Sequence, residues 1–451
     1  MTVTPDPAAR RDDPLRVVID ARIPDGAYGG VQQWVIGLAH GMRQLPDDGT
    51  EYLFLVREDG APWLEPYVGD SAHILHPDPH PELVRPTPRL SLVRRLRRGT
   101  RRVLGRARAG VGHLVGRTSP PRAARPRRGK GATPWSDGTI EAAGADVMHF
   151  PFQSAFRTTV PSIYQPWDLQ HLHLPEFFTP AQQARRAAAY PLFCRQATLV
   201  VVASAWVKAD VVESFGIPPD RIEVVPVPPP TDAYPAPGEA ERAAIRERLA
   251  LPERFVYYPA QTWPHKNHAR LFQALRLLAD GGLEVPLVGT GRRNDHYATL
   301  EAQARELGIE GQLHFLGYVE PAVVTVLYST ARALVFPSLY EGWGLPIVEA
   351  FRAGLPVACS NVTSLPELVG NAALVFDPLD PASIADAIEQ LWTDDALASK
   401  LAADGRRVAE AFDWRTTAQA MRRHYRRVAR LGGDRGSAAV SREEGSREER
   451  R

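Results

Sequence analysis

Strand-length apolar runs alternate with helix-length stretches along this chain, and the alternation occurs twice, once on each side of a proline-rich stretch at 226–237. In the first half the runs fall at 17–20, 52–56, 146–150, 161–164 and 199–203, and Ser204 is placed to cap a helix after the last of them. In the second half they fall at 255–258, 285–288, 313–316 and 333–336. Between them lie helical stretches such as 268–279, where Leu271, Leu275 and Leu278 share one face. Regular alternation of this kind predicts parallel, doubly wound sheets with right-handed crossovers. The expected class is α/β, with two Rossmann-like domains facing a cleft.

Open α/β sheets bind ligands at the loops that follow their strands. Here the run at 17–20 leads into Gly29 and Gly30 and then a helix over about 32–42. The segment 333–350 is more informative. A buried strand (Ala333, Leu334, Val335, Phe336) enters a turn holding Gly342 and Gly344, and a helix opens at Pro346. Small residues in the turn let a ligand approach the backbone closely. The helix start offers unpaired N–H groups and a positive dipole end to a phosphate. Glu341 sits in the turn, and Glu349 lies about one turn into the helix, where a carboxylate can accept hydrogen bonds from a diol such as a ribose. The segment suggests a site for a nucleotide attached to something polar, with Glu341 facing that group. Taken alone, the same pattern is also an ordinary piece of α/β surface.

A length of 451 residues allows two or three domains and a large core. Apolar content of 44% and charged content of 24% are those of a globular protein, and a net charge of +2 gives no global pull toward nucleic acid. Cys194 and Cys359 are the only cysteines, so neither a disulfide framework nor a zinc site is expected, and a reducing cytosol suits the chain. Residues 1–14 are polar and proline-bearing without an apolar signal region, and no apolar run reaches the ~18 residues of a membrane span.

Four stretches together carry a family resemblance. The first is the Gly29-Gly30 loop. The second runs from Asp168 through Gln170, His171 and His173 to Pro175, Glu176, Phe177 and Phe178. The third contains Pro259, Gln261, Trp263, Pro264, His265, Lys266 and Asn267. The fourth runs from Val335 to Glu349 and is followed by Gly354-Leu355-Pro356 and Phe376-Asp377-Pro378. In this order and spacing, over roughly residues 16–430, the chain resembles the retaining glycosyltransferases of family 4 (glycosyl transferases group 1), which have the two-Rossmann GT-B fold.

The resemblance implies that the second domain binds a nucleotide sugar. A diphosphate leaving group gains charge as the glycosidic bond breaks, so charge must be stabilised where it sits. The family does this with a basic side chain and a helix dipole, and Lys266 matches its lysine. No metal and no cofactor is therefore expected. Glu349 matches the ribose-binding glutamate and Glu341 the one facing the donor sugar. Backbone N–H groups of Gly342, Trp343, Gly344 and Leu345 would hold sugar hydroxyls and phosphate. The backbone of Leu316, Gly317 and Tyr318 would meet the base, and Gly30 would let the opposite loop approach the donor phosphate. Trp167 and Asp168 fall on the acceptor or donor-sugar side, and His171 joins Lys266 and Glu341 as a catalytic expectation.

Two positions depart from the family pattern. Many relatives carry an arginine where Gln261 stands, and an amide brings no charge to a phosphate. Either His265 or another basic group compensates, or the clamp is weaker. Many also carry a histidine where Trp167 stands. Tryptophan cannot supply the same proton chemistry, but it could stack on a sugar face.

Residues 85–130 hold sixteen Arg or Lys and no Asp or Glu. Leu92, Leu96, Val103 and Leu104 recur among the arginines at near-helical spacing, as in a basic amphipathic helix able to lie on an anionic membrane. A solvated arginine loop has the same composition. Nucleic-acid binding is not expected, because aromatic residues for base stacking are absent from the insert.

These readings converge on a metal-independent, retaining hexosyltransferase. It would move a mannose-like or other hexose or deoxyhexose from a nucleotide sugar to a glycan or lipid-linked acceptor in polysaccharide or glycoconjugate synthesis. It would work in the cytoplasm, peripherally at the inner membrane face where the insert allows. The alternatives are a catalytically silent, membrane-associated GT-B binding protein and a nucleotide-sugar epimerase or hydrolase. The expected divisions are a disordered start (1–14), an acceptor domain (15–232), a linker (233–250), a donor domain (251–413), a crossover helix (414–430) and a disordered tail (431–451).

Overall fold

The structure, a computed structural model, describes residues 14–25, 29–84 and 133–448. The basic insert expected at 85–130 and the start of the chain at 1–13 lie outside the described residues.

Two parallel sheets form the scaffold. The first has seven strands: β1 (Leu15–Asp20), β2 (Thr50–Leu55), β3 (Ala72–Leu75), β4 (Val147–Phe150), β5 (Ser162–Tyr164), β6 (Leu199–Val202) and β7 (Ile222–Val224). The second has six: β8 (Val256–Pro259), β9 (Leu287–Thr290), β10 (Leu313–Gly317), β11 (Ala333–Phe336), β12 (Val357–Ser360) and β13 (Leu374–Phe376). Their orders, β3-β2-β1-β4-β5-β6-β7 and β10-β9-β8-β11-β12-β13, reverse direction between β1 and β4 and between β8 and β11. Side chains alternate across a strand, and both faces are buried. Val17, Ile19, Tyr52 and Phe54 enter one core, and Val18, Leu53 and Leu55 enter the other.

Two expectations are corrected. The stretch read as a linker, 233–250, contains a helix at Glu239–Arg248. Its glutamates open the helix and its arginines close it, in favour of the macrodipole, while Ile245 is its one buried residue, so apolar periodicity could not reveal it. The tail read as disordered from 431 continues the Trp414–Glu448 helix.

That last helix returns to the first domain. The Trp414 ring fills the space left by Gly37, where a Cβ would lie 2.0 Å from it, and its indole N–H donates to Pro229 O at 2.9 Å. Further along, Tyr425 Oη meets His149 Nδ1 at 2.9 Å and Arg422 pairs with Asp48 at 3.0 Å. Among the described residues no helix is long and apolar enough to cross a membrane.

Candidate active site between the two domains

The second sheet's switch point gathers the expected donor residues. β8 runs into Gln261 and Lys266, and β11 runs into the turn that carries Tyr340 to Gly344. Asn267 holds these two loops together, its amide donating to Pro337 O at 2.9 Å and Pro378 O at 2.8 Å. Lys266 Nζ then reaches Glu341 Oε1 at 2.5 Å, with both side chains largely sheltered from solvent. Phe336 lies beneath, its ring centroid 5.7 Å from the ammonium. Thr363 and Ser364 fix the turn from β12: the Glu341 N–H donates to Thr363 Oγ1 at 3.1 Å, and Ser364 Oγ donates to the carbonyls of Glu341 and Trp343 at 3.0 Å each.

The helix Leu345–Ala353 starts here. Gly344 takes φ +122°, a value a side chain would strain, and the chain turns into the helix at that point. Among the described residues no protein group accepts from the backbone N–H groups of Gly342, Trp343, Gly344 or Leu345. Four consecutive open donors at a positive dipole end suit a phosphate. Glu349 follows one turn in. Tyr328 Oη donates to its Oε2 at 2.7 Å. Burial pushes its carboxyl up to about 7, the Tyr328 hydrogen bond opposes that rise, and the charge of Asp232 adds to it.

The expected base edge is open. Gly317 adopts φ +75° at an irregularity in β10, and its carbonyl accepts from the Gly291 N–H at 2.8 Å. Leu316 is partly buried, whereas Tyr318 is exposed with the Arg292 guanidinium 5.7 Å from its ring centroid. Gln261 accepts from the Trp263 indole N–H at 2.9 Å. His265 does not replace the missing arginine's charge: burial, then the nearby Lys266 ammonium, push its pKa well below the usual histidine value and keep it neutral. Gly30 lies in the first turn of the Gly29–Arg43 helix, with open space where a Cβ would go.

The acceptor domain meets this turn directly. A Cβ on Gly342 would lie 2.3 Å from the Trp167 carbonyl oxygen, so only glycine fits. Ser204 Oγ donates to Gly342 O at 2.9 Å while also capping the Ala205–Phe215 helix. Glu367 closes the same helix end from the other domain, accepting from the N–H groups of Ala205 and Trp206 at 2.8 and 3.0 Å. Trp343 sends its indole N–H to Val227 O at 3.0 Å. These cross-domain contacts hold the cleft closed at the Glu341 turn. None was foreseen from sequence; Ser204 was read only as a helix cap.

Asp168 borders the same turn, its Cβ 3.3 Å from where a Cβ on Gly342 would lie. Burial raises its pKa, hydrogen bonding from the Gln170 N–H lowers it, and it feels the charges of Arg186, Glu341 and Lys266. Trp167 is placed otherwise than a sugar-stacking role requires. It has φ +67°, its indole N–H donates to Pro151 O at 2.8 Å, and its ring stands edge-on to Trp34 at 5.8 Å. The side chain turns back into its own domain, and it is the backbone carbonyl that meets Gly342 at the cleft. His171 is also corrected. It is 3% exposed and packs against Tyr190 at 4.8 Å, with neither ring nitrogen hydrogen-bonded. Burial, then the charge of Arg186, lower its pKa to about 4, so it is neutral and apart from Lys266 and Glu341.

Comparisons with known proteins agree with this fold. Residues 28–233 match the model of Glycosyltransferase Family 4, and residues 241–408 match that of Glycosyl transferases group 1. O-antigen chain mannosyltransferase B of Escherichia coli is 36% identical over 220 residues, covering 48% of this chain and 58% of that protein. D-inositol 3-phosphate glycosyltransferase of Corynebacterium glutamicum is 30% identical over 251 residues, covering 53% and 59%. The chain thus spans little more than half the length of these relatives. Among solved structures, Anabaena HepE in complex with UDP and glucose superposes with a TM-score of 0.63 at 19% identity, covering 91% of this chain and 99% of that one. Sucrose-phosphate synthase from Thermosynechococcus elongatus gives 0.62 at 18% identity, covering 92% and 99%. At these identities the likeness shows the fold, which is GT-B.

Proposed function

This chain belongs to glycosyltransferase family 4, and on that premise we propose that it transfers a hexosyl group, mannose-like by the company of its relatives, from a nucleotide sugar to a glycan or lipid-linked acceptor with retention of configuration and without a metal ion. The observation that carries the reading is the Lys266–Glu341 pair at 2.5 Å beside four unpaired backbone donors, with Glu349 one helical turn beyond.

In this reading the nucleoside ribose lies on Glu349 and the diphosphate on the open N–H groups and Lys266. Glu341 orients the sugar. The acceptor hydroxyl oxygen forms a bond to the anomeric carbon on the face from which the diphosphate departs. The old glycosidic C–O bond breaks, its electron pair leaves with the diphosphate, and the acceptor proton passes to a departing phosphate oxygen. The Lys266 ammonium stabilises the charge that develops there, where preorganised groups contribute most. No carboxylate nucleophile is assigned. Asp168 and the carbonyl of Trp167 border the sugar from the acceptor side.

The test is thermal stabilisation by UDP-, GDP-, ADP- and dTDP-sugars, followed by transfer to added acceptors. A ligand at a hundred times its dissociation constant should add ~2.7 kcal/mol to stability. The reading expects one nucleotide class to stabilise the protein. A folded sample that no sugar nucleotide stabilises would favour the silent binding protein. Turnover of the sugar nucleotide without acceptor would favour the hydrolase or epimerase.

A further inference from the structure

We propose that Arg186 is the acceptor domain's anion-binding group: its guanidinium, held on an aromatic shelf at the cleft, takes an oxyanion, phosphate or carboxylate, carried by the acceptor. The inference rests on the transfer reading above and names the acceptor's chemistry.

The shelf is built by the signature stretch at 168–178 and the helix after it. Arg186 lies in the Pro180–Gln196 helix, and its Cζ is 4.6 Å from the Phe178 ring centroid and 5.7 Å from that of Tyr190. Stacking of this kind orients the plane of a guanidinium and leaves its N–H edge open. His171 props up both rings from within, 4.8 Å from Tyr190 and 6.4 Å from Phe178. Among the described residues the buried Tyr190 hydroxyl and both His171 ring nitrogens have no hydrogen-bond partner. His171 is neutral, and Arg186 is the cation stacked on both rings.

Arg332, Arg352 and Arg422 are sheltered and each is paired with an aspartate, at 2.6, 3.0 and 3.0 Å. Arg186 is also partly buried, yet among the described residues no carboxylate stands within ion-pair distance and no hydrogen bond engages it. A half-buried cation stacked on two rings, with no carboxylate partner among the described residues, is preorganised for the two-oxygen edge of a phosphate or carboxylate.

The loop that carries the shelf touches the donor turn: the Leu169 N–H donates to Tyr340 Oη at 3.3 Å, and Asp168 Cβ stands 3.3 Å from where a Cβ on Gly342 would lie. His171, two residues on, packs against Tyr190 and Phe178, the two rings that carry Arg186. The donor diphosphate already has Lys266 and the backbone donors at 342–345. Arg186 is therefore a further cation, from the opposite domain, on the elements that border the donor turn.

The experiment is calorimetric titration of the protein saturated with the nucleoside diphosphate it prefers. The probes are farnesyl diphosphate against farnesol, for a phosphate, and methyl glucuronide against methyl glucoside, for a carboxylate. One anion of the two pairs should bind at least tenfold tighter than its neutral partner. That advantage should disappear in Arg186→Gln and persist in part in Arg186→Lys, with nucleoside diphosphate affinity unchanged. If Arg186→Gln does not fold, Phe178→Leu keeps the charge, removes half the shelf, and should weaken the anion several-fold. Equal anion affinity in the variants, or no preference for either anion in the unaltered protein, overturns the proposal. Failure of every nucleoside diphosphate to bind sinks the transfer reading instead. The same titrations on the unliganded protein then still decide Arg186.

Discussion

The Tyr340 hydroxyl of the donor domain lies 3.2 Å from Asp210 Oδ2 of the acceptor domain. The residue directly before Glu341 is thus anchored across the cleft. Asp210 also accepts from Ser214 at 3.1 Å and meets His173 Nε2 at 2.9 Å, and the Leu169 N–H donates back to Tyr340 Oη at 3.3 Å. Tyr340 therefore ties the Glu341 turn to the acceptor domain.

Tyr340→Phe removes that anchor and keeps the ring, which stacks on His173 at 5.4 Å. It also leaves the buried Leu169 N–H unpaired. The expected loss of stability is ~1–2 kcal/mol by denaturant titration. Turnover should fall several-fold while donor affinity stays within about a factor of two, because a hydrogen bond of this kind contributes on the order of 1 kcal/mol to the closed state.

Gly342→Ala places a methyl group where the Trp167 carbonyl oxygen stands, 2.3 Å from the new Cβ. The domains must part to admit it. Nucleoside diphosphate binding, a property of one domain, should survive within a few-fold. Transfer should drop by about two orders of magnitude, the usual effect of a misplacement of ~1 Å at a reacting centre. Titration beside steady-state kinetics separates the two.

Glu349 gives a pH dependence with a definite sign. Its folded-state pKa of about 7 stands above the ordinary 4.5. Below the lower value both states are protonated and no difference arises. Between the two the unfolded chain ionises first, so stability falls as pH rises, by at most ~1.4 kcal/mol per pH unit. Above the upper value the deficit is constant. Glu349→Gln should therefore match the unaltered protein near pH 4 and exceed its stability at pH 8. Donor affinity should behave oppositely, rising through about pH 7 as the carboxylate forms and accepts from the ribose, and staying flat in the variant.

Glu367→Ala uncovers two N–H groups at the start of the Ala205–Phe215 helix. Loss of such a cap costs ~1 kcal/mol. The more specific expectation is a larger radius of gyration by solution scattering in the variant, since the cap comes from the other domain.

The sequence located the two strand–turn–helix units after β8 and β11, and with them the positions of Lys266, Glu341, Glu349 and the glycines of the turn, because local chain geometry sets relations within each unit. What it withheld depends on pairs far apart in the chain, such as Tyr340 with Asp210 or Glu367 with Ala205. Backbone conformation was withheld too. Trp167 read as a residue that could stack on a sugar because nothing in its neighbours announces a positive φ, and that φ aims its ring away. His171 read as catalytic, three residues from Asp168 in a loop that also looked tightly built, and its ring is packed against Tyr190. The strands β3 and β7 escaped notice because they are short and interrupted by His73 and Glu223.

The central claim is that Lys266 meets the leaving diphosphate and Glu341 the sugar. Calorimetric titration of a nucleoside and of its diphosphate, with Lys266→Met beside the unaltered protein, tests it most directly. The account predicts that the nucleoside binds both proteins alike, while the diphosphate loses at least tenfold in affinity in the variant. A diphosphate that keeps its full advantage over the nucleoside in Lys266→Met would contradict it.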